Sequence, residues 1–165
     1  MVRAVLRSLD ASLLRLLRTR GHSPAAEGAV RRFSALGEHG MLWLAVSGIG
    51  MAFGGDRRPA FTRAGRTVIA AYLANQSVKL VARRPRPQLD GLPPLIDTIS
   101  NRTYPSAHAA TSFAAARALS RVLSAAPLYV VAAAMGLSRP YLGVHHPSDA
   151  LAGAVLGAAV AELVP

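Results

Sequence analysis

Over residues 2–18, apolar positions recur at helical spacing: Val2, Val5, Leu6, Leu9, Leu13, Leu16 and Leu17 fall on or near one face. Arg3, Arg7, Arg15, Arg18 and Asp10 fill much of the rest, with Leu14 at the boundary. The pattern predicts an amphipathic helix, either lying in a membrane interface with its arginines at lipid phosphates or docked on protein. Residues 21–38 are polar, contain Gly, Ser and Pro, and read as a linker. About five apolar stretches follow, at 41–55, 67–82, 109–123, 127–142 and 149–164. Each is somewhat shorter than the ~20 residues that cross a bilayer comfortably. The third carries Arg117 and Arg121, which weaken its hydropathy. Between the second and third, Pro85, Pro87, Pro93 and Pro94 forbid a continuous helix. No strand alternation and no internal repeat are visible. The expected fold is all-α: an integral membrane bundle of about five transmembrane helices plus the N-terminal interfacial helix. Residues 1–38 would form the interfacial helix and linker, and 39–165 the main domain. A soluble bundle of buried Ala-rich helices is the alternative. The spacings Gly50 to Gly54 and Gly153 to Gly157 suit close helix packing.

Composition sharpens this picture. The chain has 165 residues, enough for one domain, and 52% are hydrophobic. Mean hydropathy is only +0.30, because Ala and Gly contribute much of the apolar content. With no Cys, disulfides and Cys-based metal or redox sites are excluded. The formal charge is +11, and the single Lys, Lys79, stands against an excess of Arg. Such a surface suits anionic lipid or phosphate. Nucleic acid is not expected as a partner, since aromatic residues are only 5% and the apolar segments are long. Arginines interrupt the N-terminal segment, so it does not read as a secretory signal.

Three segments carry candidate chemistry. Lys79 is followed after six residues by Arg86-Pro87. Pro105-Ser106-Ala107-His108 precedes an apolar stretch. Ser138-Arg139 is followed after five residues by His145, and after three more by Asp149. Lys79, Arg86 and Arg139 supply fixed positive charge, and arginine grips phosphate oxygens in a two-pronged fork. Ser106 offers a hydroxyl at a helix start, where backbone amides face an anion. A neutral His145 can attack phosphorus, Asp149 can hold its other ring nitrogen, and His108 can protonate a leaving alkoxide. His145, His146 and Asp149 also form a conceivable metal cluster, although no further ligand motif completes it. Arg83 and Arg84 read as interfacial charges.

This order and spacing resemble the type 2 phosphatidic acid phosphatase superfamily, over the stretch from Lys79 to Asp149. The first and third motifs match at every fixed position. The second has Ala107 where the family usually has Gly, which keeps the amide but disfavours a positive φ. The resemblance implies that His145 forms a phosphohistidine intermediate, that His108 is the acid, and that Asp149 orients His145. It also implies that Lys79, Arg86, Ser106, Ala107 (through its amide) and Arg139 cradle the phosphate. No metal and no cofactor are expected, because fixed cations stabilise the charge.

All three motifs fall at one face of a five-span bundle, the same side as the Arg-rich N-terminus. The positive-inside rule then places the site on the cytoplasmic face of a multi-pass membrane protein. The expected substrate is a lipid phosphate monoester, with membrane lipids as the surroundings. The compact form and Arg-rich composition are similar to the actinobacterial branch that dephosphorylates decaprenylphosphoryl phosphoribose in cell-wall arabinan synthesis. Polyprenyl pyrophosphate, phosphatidic acid and phosphatidylglycerol phosphate are alternative substrates. A vanadate-dependent haloperoxidase and a non-catalytic membrane assembly protein are the readings from other classes.

Overall fold

The computed structural model describes residues 2–98 and 100–165, without the side chains of residues 2–4 and 6. The expected contributions of Val2, Arg3 and Leu6 to the first helix's faces therefore lie outside the described residues. Helices dominate: α1 (Val2–Thr19), α2 (Pro24–Leu36), α3 (Met41–Phe53), α4 (Arg58–Ala82), α5 (Ala107–Leu119), α6 (Ala125–Tyr141) and α7 (Pro147–Leu163). No strand occurs among the described residues, only an isolated antiparallel bridge between Pro85 and Arg102.

Residues 21–38 are not a linker. Pro24–Leu36 is helical because Ser23 caps the first turn, accepting from Ala26 N, and Pro24 supplies a preset φ in that turn. The five apolar stretches correspond to α3 through α7. α4 begins well before residue 67, again with a proline in its first turn.

α5 is the hub, with ten buried residues that include Ala109, Ala110, Ala114 and Ala115. α7 lies directly against it. A Cβ on Gly157 would collide with the carbonyl of Ala110, and one on Gly153 with the carbonyl of Ser106. This backbone-to-backbone approach brings the start of α7, with His145 and Asp149 nearby, beside the start of α5. Trp43, Phe61 and Val68 pack with Leu119 of α5 in an apolar cluster, and Trp43 Nε1 donates to Ser112 Oγ at 2.8 Å.

No helix among the described residues is long and apolar enough to cross a membrane by hydropathy. The 13 residues of α3 rise about 20 Å, less than the ~30 Å of a hydrocarbon core. The count of five spans is therefore not established. Large apolar side chains nonetheless point outward from most helices, with Phe53, Val81, Val130, Leu151 and Leu163 between 68% and 86% exposed.

α1 is amphipathic as expected, but it docks by a third face. Asp10, Leu14 and Arg18, at i, i+4 and i+8, are buried against the bundle. Arg18 donates to the carbonyl of Pro93 at 2.7 Å and that of Tyr141 at 3.3 Å. The leucine face, with Val5, Leu9, Leu13 and Leu16, stays exposed.

Candidate active site

The ends of α4, α5 and α6 and the segment before α7 converge on a cavity of about 420 Å³. Lys79, Arg86, Ala107, His108, Arg139 and His145 line it, together with Glu38 from the turn before α3. Residues spread over more than sixty positions of sequence thus meet at one concave surface. Ser106 and Asp149 do not line it. Ser106 is fully buried and caps α5, its hydroxyl accepting from Ala109 N. Asp149 lies behind His145, also fully buried.

Ala107 begins α5 in helical conformation. Among the described non-glycine residues, only His39 and Arg83 have a positive φ. The methyl group at position 107 therefore imposes no backbone strain, and its amide sits in the open first turn of a helix.

Arg139 is 5% exposed. Its Nη1 donates to Ser34 Oγ at 2.8 Å, with Glu38 Oε1 at 3.7 Å. Its Nε is buried without a partner among the described residues. Burying a guanidinium donor unsatisfied is costly, and this one belongs to a side chain that lines the cavity. Arg86 is held by its Nε on Ser100 O at 2.7 Å and its Nη1 on Val144 O.

Sequence spacing suggests that Asp149 holds His145 directly. The structure differs, since His145 Nδ1 and Asp149 Oδ2 are 3.6 Å apart, too far for a hydrogen bond. Thr103 Oγ1 sits between them, 2.6 Å from Asp149 Oδ2 and 2.9 Å from His145 Nδ1. An ionised carboxylate only accepts, so the single hydroxyl hydrogen goes to Asp149. The hydroxyl oxygen then accepts from His145 Nδ1–H. This fixes the tautomer and leaves the lone pair on Nε2. Asp149 is itself anchored by the amide of His146 at 2.8 Å, as one half of a capping box at the start of α7.

Burial pushes the His145 imidazole down to about 4, with Arg139 adding to the shift and Asp149 opposing it. Burial, with help from Arg139 and His145, also holds His108 well below the ordinary histidine range. Both rings are neutral at pH 7. His108 Nε2 lies 3.1 Å from the carbonyl of Ser34, which only accepts, so that nitrogen carries the proton. Ser34 belongs to α2, so the segment expected as a linker touches both His108 and Arg139.

Arg84 is not a free interfacial charge. Its Nη1 lies 2.8 Å from Asp149 Oδ1 and its Nη2 lies 2.7 Å from Asp10 Oδ2. Thr103, Arg84, Asp10, Ser34 and Glu38 were not singled out by motif, since each belongs to the site through tertiary contact alone. The Ser-Pro start of α2 was the one local signal available. His146 contributes its amide and a 3.3 Å contact from Nδ1 to Asp149. No group of three or more His, Asp or Glu among the described residues is arranged to hold a metal ion.

The cavity is lined by cations and by a histidine whose Nδ1 is held by a buried hydroxyl–carboxylate pair, on an all-helical scaffold. The chain belongs to the PAP2 superfamily, whose family model matches residues 60–165, and it is accordingly a phosphoric monoester hydrolase. The decaprenylphosphoryl-5-phosphoribose phosphatase of Mycobacterium tuberculosis is 35% identical over 141 residues, covering 86% of this chain and 80% of that one. The protein of the same name from Mycolicibacterium smegmatis is 32% identical over 147 residues, covering 89% and 82%. Among solved structures, Aquifex aeolicus LpxE superposes with a TM-score of 0.75 at 23% identity, covering 94% of both chains. The transmembrane PAP2-type phosphatidylglycerolphosphate phosphatase of Bacillus subtilis gives 0.77 at 24% identity, covering 97% of this chain and 84% of that one. These two likenesses establish the shared fold.

Proposed function

We propose that this chain hydrolyses a lipid phosphate monoester at a membrane surface, with decaprenylphosphoryl-5-phosphoribose as its substrate. The substrate assignment rests on the 35% identity to a phosphatase of that name over most of both chains. The mechanism rests on one observation: Thr103 Oγ1 lies within hydrogen-bond distance of both His145 Nδ1 and Asp149 Oδ2, and His145 lines one cavity with Lys79, Arg86 and Arg139.

In this reading, Nε2 of neutral His145 attacks phosphorus as the bond to the leaving oxygen breaks. Lys79, Arg86, Arg139 and the Ala107 amide take up the charge on the transferring group. Ser106 acts by capping the helix that presents that amide. His108 gives a proton to the departing alkoxide, and water then attacks the phosphohistidine with His108 as base. A phosphate dianion in the cavity raises the affinity of His108 for a proton, which equips it as the acid. Fixed cations carry the electrostatic work, so neither a metal nor a cofactor takes part.

The setting follows from surface chemistry. Outward-facing Phe53, Ile69, Leu73, Val81, Val130, Leu151 and Val155 would meet water in a soluble bundle, an unfavourable arrangement that lipid removes. α1 would lie in the interface with Leu9, Leu13 and Leu16 toward the acyl chains and Arg7, Arg15 and Arg20 at lipid phosphates. Residues 39–165 would form the membrane phosphatase domain, with its active site placed on the cytoplasmic face by the arginine bias toward the N-terminal segment.

The test is phosphate release from a panel of lipid phosphates by purified protein in detergent, including decaprenylphosphoryl-5-phosphoribose, phosphatidic acid, phosphatidylglycerol phosphate and a polyprenyl pyrophosphate. The reading predicts highest kcat/KM on the first, activity that survives chelator, and inhibition by vanadate. Preference for another panel member would reassign the substrate, and chelator-sensitive activity restored by a divalent metal would overturn the mechanism.

A further inference from the structure

The buried carboxylate of Asp149 is held at both ends. Oδ2 receives Thr103 and the His146 amide, and Oδ1 receives Arg84 Nη1 at 2.8 Å. Arg84 is shared. Its Nη2 pairs with Asp10 of α1 at 2.7 Å, and its Nη1 also reaches Ser148 Oγ at 2.7 Å. Asp10 closes the cluster by accepting the Ser148 amide at 2.9 Å and the Ser148 hydroxyl. Asp10 and Ser148 are 138 positions apart, yet Ser148 immediately precedes Asp149 in the first turn of α7. α1 is thereby attached to the catalytic pair through charge and hydrogen bonds as well as through packing.

A fully buried carboxylate is stable as an anion only with a charged or strongly donating partner. Arg84 provides the fixed cation, and Asp10, 6% exposed, sets where that guanidinium sits. If the Asp149 carboxylate turned, Thr103 would lose its acceptor and His145 its orientation. We propose that Asp10 and Arg84 are positioning residues for phosphoryl transfer, fixing the Asp149 carboxylate so that seating of α1 on the bundle sets the aim of His145. This rests on the phosphohistidine reading above.

The two ends of the cluster carry opposite charge, which gives a readout that a merely structural role does not share. Arg139 of α6, Lys79 of α4, His108 of α5, Glu38 from the turn before α3, and Arg86 and Asp97 of the loop line the cavity with His145, and His146 Nδ1 lies 3.3 Å from Asp149 Oδ2. All of these are common to every variant. Arg84→Gln leaves the Asp149 charge less neutralised and favours the imidazolium, so the acid limb of kcat/KM moves to higher pH. Asp10→Asn leaves Arg84 to neutralise Asp149 alone, so the limb moves to lower pH. Arg84→Lys keeps the charge and the limb but loses the second prong.

The experiment is the pH dependence of kcat and KM for wild type, Asp10→Asn, Arg84→Gln and Arg84→Lys, on a lipid monophosphate in detergent, normalised to folded protein. All three variants should lose about 10- to 100-fold in kcat, the scale of a displaced catalytic group. KM should change little, because Lys79, Arg86 and Arg139 are untouched, and the limbs of Asp10→Asn and Arg84→Gln should part. Unchanged kcat per folded molecule would overturn the assignment, as would limbs that do not separate. A wild-type protein that releases no phosphate from any lipid monophosphate would instead remove the parent reading, and this assignment with it.

Discussion

Thr103 Oγ1 stands 2.9 Å from His145 Nδ1, in the place where a direct contact from Asp149 would be expected. A neutral hydroxyl thus transmits the carboxylate's hold on the ring. Replacing Thr103 with Val keeps the shape and removes the relay, leaving Nδ1–H buried and unpaired. Its kcat should fall by about 10- to 100-fold, while Thr103→Ser stays near wild type. Wild-type turnover in Thr103→Val would show that Asp149 acts on His145 without it.

Protonation of His145 should follow its burial. In the folded protein the ring stays neutral down to about pH 4, because removal from water disfavours its charged form. In the unfolded chain histidine takes a proton near 6.5. Between those values the unfolded state binds more protons, so stability is full above about pH 6.5 and declines as pH falls toward 4. His108 adds to the decline in the same direction. An imidazole NMR titration of the ligand-free protein should find His145 neutral at pH 5.5, whereas a midpoint near 6.5 would contradict the buried geometry.

Arg139 lines the cavity, and its buried Nε has no partner among the described residues. Lysine preserves the charge but not the fork. Arg139→Lys should therefore weaken vanadate inhibition and lower kcat/KM together, by about 10-fold or more, the worth of one charge-assisted hydrogen bond. Equal vanadate affinity in the variant and wild type would remove Arg139 from the phosphate site.

Helix packing can be tested apart from chemistry. A methyl group at Gly157 runs into the carbonyl of Ala110, a backbone atom that cannot turn aside. Gly157→Ala should cost about 1–3 kcal/mol through overpacking, despite the better helix propensity of alanine. Thermal denaturation reads this directly, and an unchanged or raised midpoint would mean that α5 and α7 are not so closely apposed.

Much of the cavity lining was legible in the sequence, because Lys79, Arg86, His108, Arg139 and His145 belong to motifs of fixed order and spacing, with Asp149 buried behind His145. Motif spacing could not reveal Thr103, which is brought between His145 and Asp149 by a loop with no periodic signal. Nor could it reveal that Arg84 rather than a free charge lies beside Asp149, or that Asp10 turns inward. Each depends on a pairing across dozens of residues, and a charged residue on an amphipathic helix ordinarily faces water. The helix over Pro24–Leu36 was hidden by polar composition, although Ser23-Pro24 is a start signal. Span length was the weakest inference, since small residues lower hydropathy while outward faces remain apolar.

The most direct measurement is rapid-quench trapping with a ³²P-labelled lipid monophosphate, followed by mapping of the labelled peptide. Phosphate should appear on His145 as an acid-labile, base-stable adduct within the first turnover, and His145→Ala should show neither label nor release. Turnover without any labelled His145, or with the label on another side chain, would contradict the account.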